Sequence, residues 1–458
     1  MVLYVKAKFY QKMLDWKNAD RGSTALLVTG AGRVGKSTLV EEFARNEYKS
    51  YILIDFSQAS KDALRLFEDY RSDLSTFFTY VSALYGVKLY NRESVMVFDE
   101  VQFFPQAREF IKQLVADGRY DYIETGSLLS IKHNVETIVI PSEEQEERMY
   151  PLDFEEFLWA CGEENLSTVI KSSFDELNPL PDALHKKAMR LFREYMLVGG
   201  MPQSVNEYVD SRDFARVDRV KRRILSLYRQ DAAKFAKGYE MKVMAVFDGI
   251  PAQLSRHEKR YRITSLGKNA RMRDYKDAFF WLSDASITNN CYKSTDPNVG
   301  LNLNADDALV KCYMADTGLL ASMILSDSSI ASNDLYKEIL FGKISINEGM
   351  LVENVVAQQL IASGHRLFFY SNRDKENSEN TMEIDFLISK AFLDSAGKMR
   401  ISAIEVKSGN VFKTVSLDKF KAKFSKRIGT SYVFAPKQLS VRKDLNRVIL
   451  PLYMCGLV

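Results

Sequence analysis

Short, unbroken apolar runs punctuate the first third of the chain. Ala25-Leu26-Leu27-Val28-Thr29 leads into a glycine-rich turn, and Thr38-Leu39-Val40-Glu41-Glu42-Phe43 beyond it has the spacing of an amphipathic helix. Tyr51–Phe56, Ser94–Glu100 and Tyr120–Gly126 repeat the first pattern, with helical stretches between them. Runs without polar alternation mark strands buried on both faces, the habit of parallel sheets. Strand alternating with helix over residues 1–150 predicts an α/β fold, a doubly wound parallel sheet whose ligands bind at the C-terminal strand ends.

From Pro151 to about 330 the pattern changes to helical periodicity, broken at Leu177-Asn178-Pro179-Leu180-Pro181 and in the polar stretch 294–307. Met241–Ala321 suggests short helices followed by a brief strand pair. A winged-helix unit fits that pattern, with Met272–Leu282 as its recognition helix, and so does any small helical domain. Mixed α/β texture returns from about 331 to the end. A chain of 458 residues exceeds what one core covers. Three domains are expected: a P-loop-type sheet over 1–150, a helical and winged-helix-like region over 151–330, and a mixed α/β domain over 331–458.

Composition narrows the class. With 46% hydrophobic and 27% charged residues the chain is neither disordered nor membrane-spanning. Lysines interrupt the apolar start Met1-Val2-Leu3-Tyr4-Val5-Lys6-Ala7-Lys8, which speaks against a signal peptide and for a cytoplasmic protein. Cys161, Cys291, Cys312 and Cys455 form no C-x-x-C pair and have four histidines to help them, so reduced thiols are expected rather than disulfides or zinc. Net charge is only +3, but residues 390–427 hold ten Lys/Arg against three acids. Arg216–Lys276 is also biased basic, with Tyr and Phe interleaved. Such stretches suit a phosphate backbone, and equally a solvated face.

The candidate chemistry begins at Gly30-Ala31-Gly32-Arg33-Val34-Gly35-Lys36-Ser37, which fits G-x-x-x-x-G-K-[ST] between a predicted strand and a predicted helix. Glycines let backbone N–H groups turn inward around a phosphate, and the helix N-terminus adds partial positive charge. ATP and Mg²⁺ are the expected cofactors. Lys36 would reach the β- and γ-phosphates, the Ser37 hydroxyl would ligate Mg²⁺, and Thr38 opens the helix beside them. Asp99 and Glu100 end a later apolar run, where Asp99 would hold the Mg²⁺ through water and Glu100 would polarise the attacking water. Thr125 or Ser127, ending the next run, could sense the γ-phosphate; a simple turn is the other reading.

On these residues the chain resembles prokaryotic AAA+-type ATPases. Further landmarks carry the resemblance along nearly the whole chain: Pro151-Leu152-Asp153-Phe154-Glu155-Glu156-Phe157, Gly199-Gly200-Met201-Pro202, Tyr313-Met314-Ala315-Asp316-Thr317-Gly318-Leu319 and Ile404-Glu405-Val406-Lys407-Ser408-Gly409. The resemblance implies an ATPase domain, a helical lid with a winged-helix-like part, and a C-terminal domain of poorly defined function. It also implies homo-oligomeric rings completed by a neighbour's arginine, for which Arg148 is a candidate.

Near the C-terminus Thr381–Ile388 alternates with period two, placing Glu383, Asp385 and Leu387 on one face and Met382, Ile384, Phe386 and Ile388 on the other. Ile401–Lys407 alternates likewise, so Glu405 and Lys407 share a face. Upstream, Asn347 can cap a helix over Glu348–Ala362 in which Glu353 lies in an apolar stripe and needs a partner or a metal. A helix acid, a strand Asp and Glu-x-Lys on the next strand resemble the PD-(D/E)xK nucleases. That resemblance implies Mg²⁺ on Glu353, Asp385 and Glu405, with Asp385, Glu405 and Lys407 in catalysis. The expected function is an ATP-hydrolysing oligomer coupling nucleotide state to a nuclease-like domain that acts on nucleic acid, DNA or RNA. The runner-up is a nucleotide-controlled binding switch with an inactive nuclease-like domain, and the third reading is a remodelling motor acting on proteins.

Overall fold

The computed structural model describes residues 7–126, 141–256, 258–325, 332–340, 348–393 and 399–458, with backbone alone for 390–393 and 399. Ser127 and Asn347, singled out above, lie outside them. The chain divides into two compact units, Lys6–Tyr150 with Asp284–Ser286, and Pro151–Ser283 with Ile287–Val458.

The first unit is built on five parallel strands: β1 (Ala25–Gly30), β2 (Ser50–Asp55), β3 (Ser94–Asp99), β4 (Asp121–Gly126) and β5 (Glu144–Met149), in the order β2-β3-β4-β1-β5. β1, β3 and β4 are interior strands and every residue in them is buried, which is why they appear as unbroken apolar runs. β5 is an edge strand of sequence Glu-Gln-Glu-Glu-Arg-Met and carries no such signal. Its Glu144 is held by Arg108 from the Pro105–Asp117 helix through two hydrogen bonds of 2.8 and 2.6 Å. Phe56, Phe67, Phe77, Phe98, Phe104 and Phe110 fill one core, several in edge-to-face pairs such as Phe67–Phe77 and Phe77–Phe110, both with centroids 5.1 Å apart. Each such ring contributes about 2–3 kcal/mol by burial alone.

The second unit joins helices to an eight-stranded mixed sheet of order β12-β13-β11-β10-β9-β8-β6-β7. Its strands are β6 (Thr288–Ser294), β7 (Ala305–Met314), β8 (Phe368–Asn372), β9 (Met382–Leu393), β10 (Met399–Val406), β11 (Ser431–Ala435), β12 (Ser440–Arg442) and β13 (Arg447–Pro451). The helix and strand pair of the winged-helix reading are present, and the pair belongs to this larger sheet. The strand pair β6–β7 does follow the Met272–Asp284 helix, yet β6 pairs in parallel with β8, so one sheet crosses the expected boundary. The helix itself buries Ala278, Phe279, Trp281 and Leu282 and exposes Arg273, Asp274, Lys276, Asp277 and Phe280.

Three of the landmark motifs resolve into architecture. Asp153 and Glu156 form a reciprocal capping box on the Phe154–Ala160 helix, each side chain accepting the other's backbone N–H at 2.9 and 2.8 Å. Asp316 caps the Thr317–Ile324 helix through Leu319 N at 2.8 Å and also accepts Gly200 N at 2.5 Å. Gly200 in turn exchanges backbone contact with Leu152, and a Cβ at Gly200 would collide with the Leu152 carbonyl. Asn354, Gln358 and Gln359 of the buried Glu348–Ala362 helix tie this knot together, Gln358 accepting from Thr317 N at 2.8 Å and donating to Tyr195 Oη at 2.8 Å.

Candidate active site

The order of the first sheet fixes the geometry. β4 stands between β1 and β3, so the loop leaving β1 and the acids ending β3 are two strand spacings apart, about 10 Å. All three strands are parallel and end at the same edge. Gly30 closes β1 at φ 147° opposite Met149, where a Cβ would meet the Met149 carbonyl; only glycine fits. Gly35 at φ 98° then turns the chain into the Lys36–Glu47 helix. Between them lie Ala31, Gly32, Arg33 and Val34, of which Val34 is buried and Arg33 is exposed. The buried Lys36 ammonium donates to the Gly30 and Ala31 carbonyls at 2.9 and 3.0 Å, inside the curve of the loop. Thr38 is exposed on the helix.

Asp99 gathers the hydroxyls. Its Oδ1 accepts from Ser37 Oγ at 2.8 Å and from Thr125 Oγ1. Thr125 Oγ1 also accepts the Glu100 N–H at 3.2 Å, so one buried threonine braces both acids of β3. Glu100 itself sits in the left-handed region at φ 55°, which turns its carboxylate away from the strand direction, and Gln102 Nε2 donates to it. Burial pushes the Glu100 carboxyl above its ordinary range, while Lys36 and Gln102 pull the other way. Asp55, opposite Asp99 in the register, is engaged by its own turn through Ser57 and Gln58. Arg148 lies half-buried in β5 opposite Thr29. Ser37 and Asp99 are hard oxygen donors in mutual contact, and a Mg²⁺ that takes most of its ligands from phosphates and water fits them. Gln102 was not foreseen; its only trace in the sequence is a polar residue inside Val101-Gln102-Phe103-Phe104.

The second constellation is divided. Glu353 is buried, and both its oxygens are taken: Oε2 by Lys259, Oε1 by the Tyr313 hydroxyl and by Lys311 Nζ at 3.4 Å. Lys311, 1% exposed, also lies 3.0 Å from Glu383 Oε1 and 3.9 Å from Asp385 Oδ1. Asp385 Oδ2 accepts Val406 N at 2.8 Å. The simple alternation expected for Thr381–Ile388 fails, because the register of β8 against β9 shifts between Ile384 and Leu387. Met382, Ile384 and Leu387 consequently share one core, and Asp385 lies at the irregularity. Glu405 belongs to a different set. Lys407 Nζ is 3.0 Å from it, the Leu417 amide and Arg447 are its other neighbours, and burial raises its carboxyl. Among the described residues, Glu353 and Asp385 thus share Lys311 while Glu405 pairs with Lys407, and Asp385 reaches the second pair through the Val406 N–H that stands between them.

These carboxylates do not fit a bound Mg²⁺. Lysine ammoniums occupy the Glu353–Asp385 group, and among the described residues no cluster of three or more His, Cys, Asp or Glu is arranged to hold a metal ion. Neither Lys259 nor Lys311 was foreseen. Lys311 did leave a trace, a lone charge inside Leu309-Val310-Lys311-Cys312-Tyr313-Met314; Lys259 left none. No helix among the described residues is long and apolar enough to cross a membrane.

Comparison with known proteins follows these divisions only in part. Residues 22–158 match an AAA domain (AAA_14), residues 189–329 a domain of unknown function (DUF8612), and residues 348–455 another domain of unknown function (DUF4143). No curated protein matches. Among solved structures, the chain is similar to the Walker-type ATPase paby2304 of Pyrococcus abyssi, at TM-score 0.41 and 16% identity over 70% of this chain and 96% of that one. It is also similar to a signal transduction ATPase with numerous domains from Pyrococcus horikoshii that has a tetratricopeptide repeat sensor, at TM-score 0.29 and 11% identity over 80% of this chain and 50% of that one. Overlays this loose carry no argument. The phosphate loop facing a hydroxyl-braced acid pair, inside a segment that matches an AAA domain, does: the protein is a P-loop ATPase.

Proposed function

We propose that this ATPase uses its nucleotide state to control a second unit that holds nucleic acid without cutting it. In the first unit, the loop amides of Gly30–Ser37 would bind the β-phosphate, and Lys36 would exchange the Gly30 and Ala31 carbonyls for phosphate oxygens. Mg²⁺, held by Ser37 and Asp99, would neutralise charge on the phosphates. Glu100 would orient the attacking water and take its proton as the γ-phosphoryl group leaves ADP. Thr125 would keep Asp99 and Glu100 in register with that water. A neighbouring copy could supply an arginine to the same phosphates.

The observation that favours binding over cutting in the second unit is the lysine occupancy of the Glu353–Asp385 group. A surface for a phosphate backbone is offered by the helix Val415–Lys423 and its flanks, where Lys413, Lys423 and Lys426 are exposed. The test is fluorescence anisotropy with labelled single- and double-stranded DNA and RNA, across a salt series, with ATP, with ADP and with neither. Binding that weakens steeply with salt and differs between ATP and ADP supports the proposal. Equal binding in all three nucleotide conditions, or no binding at low salt, would sink it.

A further inference from the structure

The three carboxylates around Lys311 form a cage whose dimensions suit an ammonium ion. Glu383 Oε1, Glu353 Oε1 and Asp385 Oδ1 stand 3.0, 3.4 and 3.9 Å from Lys311 Nζ, and the Phe369 ring centroid lies 5.1 Å from it. Ammonium–carboxylate contacts run at about 2.7–3.0 Å and longer, and aromatic faces attract organic cations within about 6 Å. Mg²⁺ and its relatives need oxygens at about 2.0–2.1 Å in octahedral array. A cage this wide, with a ring for one wall, matches the first description.

We propose that Lys311 is the resident cation of this cage and that it replaces a divalent metal there permanently. The lysine comes from β7 and the acids from β9 and the Glu348–Ala362 helix, with β6 and β8 between the two strands in the sheet order. A buried lysine with no partners would shed its proton. Here the surrounding acids hold its ammonium well above the ordinary lysine range despite complete burial, and Glu353 is drawn down to about 2. Lys259 supplies a second cation on the outer oxygen of Glu353 and also donates to Gly349 O at 3.2 Å. Two ammoniums against three carboxylates leave one negative charge, and burial, with the Glu353 charge beside it, pushes the Asp385 carboxyl up to about 6. A metal entering this cage would have to expel a tethered, 1% exposed cation from its acids.

The proposal deepens the non-cutting reading of the second unit but does not depend on nucleic-acid binding. It is tested by Mn²⁺ binding, measured by electron paramagnetic resonance on the full chain without nucleotide. Every sample carries Asp99→Asn, which removes the acid that would hold Mg²⁺ in the phosphate site, and any Mn²⁺ left there is insensitive to Asp385→Asn. The chain with Lys311 intact should show no Mn²⁺ that Asp385→Asn removes. Lys311→Met should gain a bound Mn²⁺, lost again on adding Asp385→Asn, and its melting temperature should rise with Mn²⁺. A Mn²⁺ site that depends on Asp385 while Lys311 is present would overturn the assignment. That measurement needs no lysine variant and decides the matter even if Lys311→Met fails to fold. A chain that binds no nucleic acid would sink the proposed function and leave this assignment standing.

Discussion

Thr125→Val isolates the brace between the two acids of β3. Valine keeps the β-branched shape that a fully buried strand position demands, so packing in β4 survives. What goes is one oxygen, and with it the acceptor of the Glu100 N–H and a donor to Asp99. An unsatisfied buried donor costs about 1–3 kcal/mol, and the lost bond to a charged group is of similar size. The melting temperature should therefore fall by several degrees, roughly 2–4 °C per kcal/mol for a unit of this size. Turnover should suffer because the two acids that prepare the attack lose their common reference. Removing one preorganised hydrogen bond at a reacting centre typically costs roughly 10- to 1,000-fold in rate, and an indirect brace belongs at the lower end, about 10- to 100-fold in kcat. KM for ATP should stay within about threefold, since the loop and Lys36 make the ground-state contacts. Thr125→Ser, which keeps the oxygen, should recover most of kcat. Steady-state ATP hydrolysis at saturating Mg²⁺ reads all of this. Wild-type kcat in Thr125→Val, or loss of kcat in Thr125→Ser equal to that in valine, would refute the role given to the hydroxyl.

Other consequences are as direct. Glu100→Gln should bind ATP as the parent does, by equilibrium dialysis, and lose at least about 100-fold in turnover, as expected when a general base is removed. Because burial raises the Glu100 carboxyl and Gln102 lowers it, the acid limb of the kcat/KM–pH profile should lie above that of an ordinary glutamate, and Gln102→Ala should move it to still higher pH. Gly200→Ala should destabilise the second unit by more than about 3 kcal/mol in denaturant titration, because the added Cβ meets backbone at Leu152 that cannot yield. Asp385→Asn should be more stable than the parent at neutral pH. A carboxyl raised from its ordinary value of 3.8 to about 6 in the folded chain stabilises only while protonated, so the parent loses that contribution as pH climbs from about 4 to 6, up to about 3 kcal/mol. The difference between the two melting curves should widen over that window and be flat above it.

What the sequence announced and what it hid divide along physical lines. The three interior strands of the first sheet, β1, β3 and β4, are local signals: burial on both faces forces the apolar run, and the phosphate loop must follow β1 directly. β5 was silent because its residues before Met149 are polar and only Met149 among them is buried, and Glu144 is neutralised by Arg108, 36 positions away. The second sheet was legible in kind but not in extent. β6 and β7 belong with β8 only through pairing at long range, which no local pattern encodes. Periodicity misplaced Leu387 because a single register shift between Ile384 and Leu387 inverts every later face. The carboxylates Glu353 and Asp385 were visible as charges in apolar surroundings, but whether a metal or a lysine answers them depends on Lys259 and Lys311, 94 and 42 positions from Glu353.

The two units are joined in one prediction: ATP is hydrolysed while nucleic acid stays intact. The direct measurement follows ATP turnover and strand integrity in the same tube, with Mg²⁺ or Mn²⁺, on single- and double-stranded DNA and RNA, for the parent chain, Lys36→Ala and Asp385→Ala. ATP hydrolysis that Lys36→Ala abolishes, with every strand uncut, is the predicted result. Metal-dependent cutting that disappears in Asp385→Ala would contradict the account of the second unit, and hydrolysis that survives in Lys36→Ala would contradict that of the first.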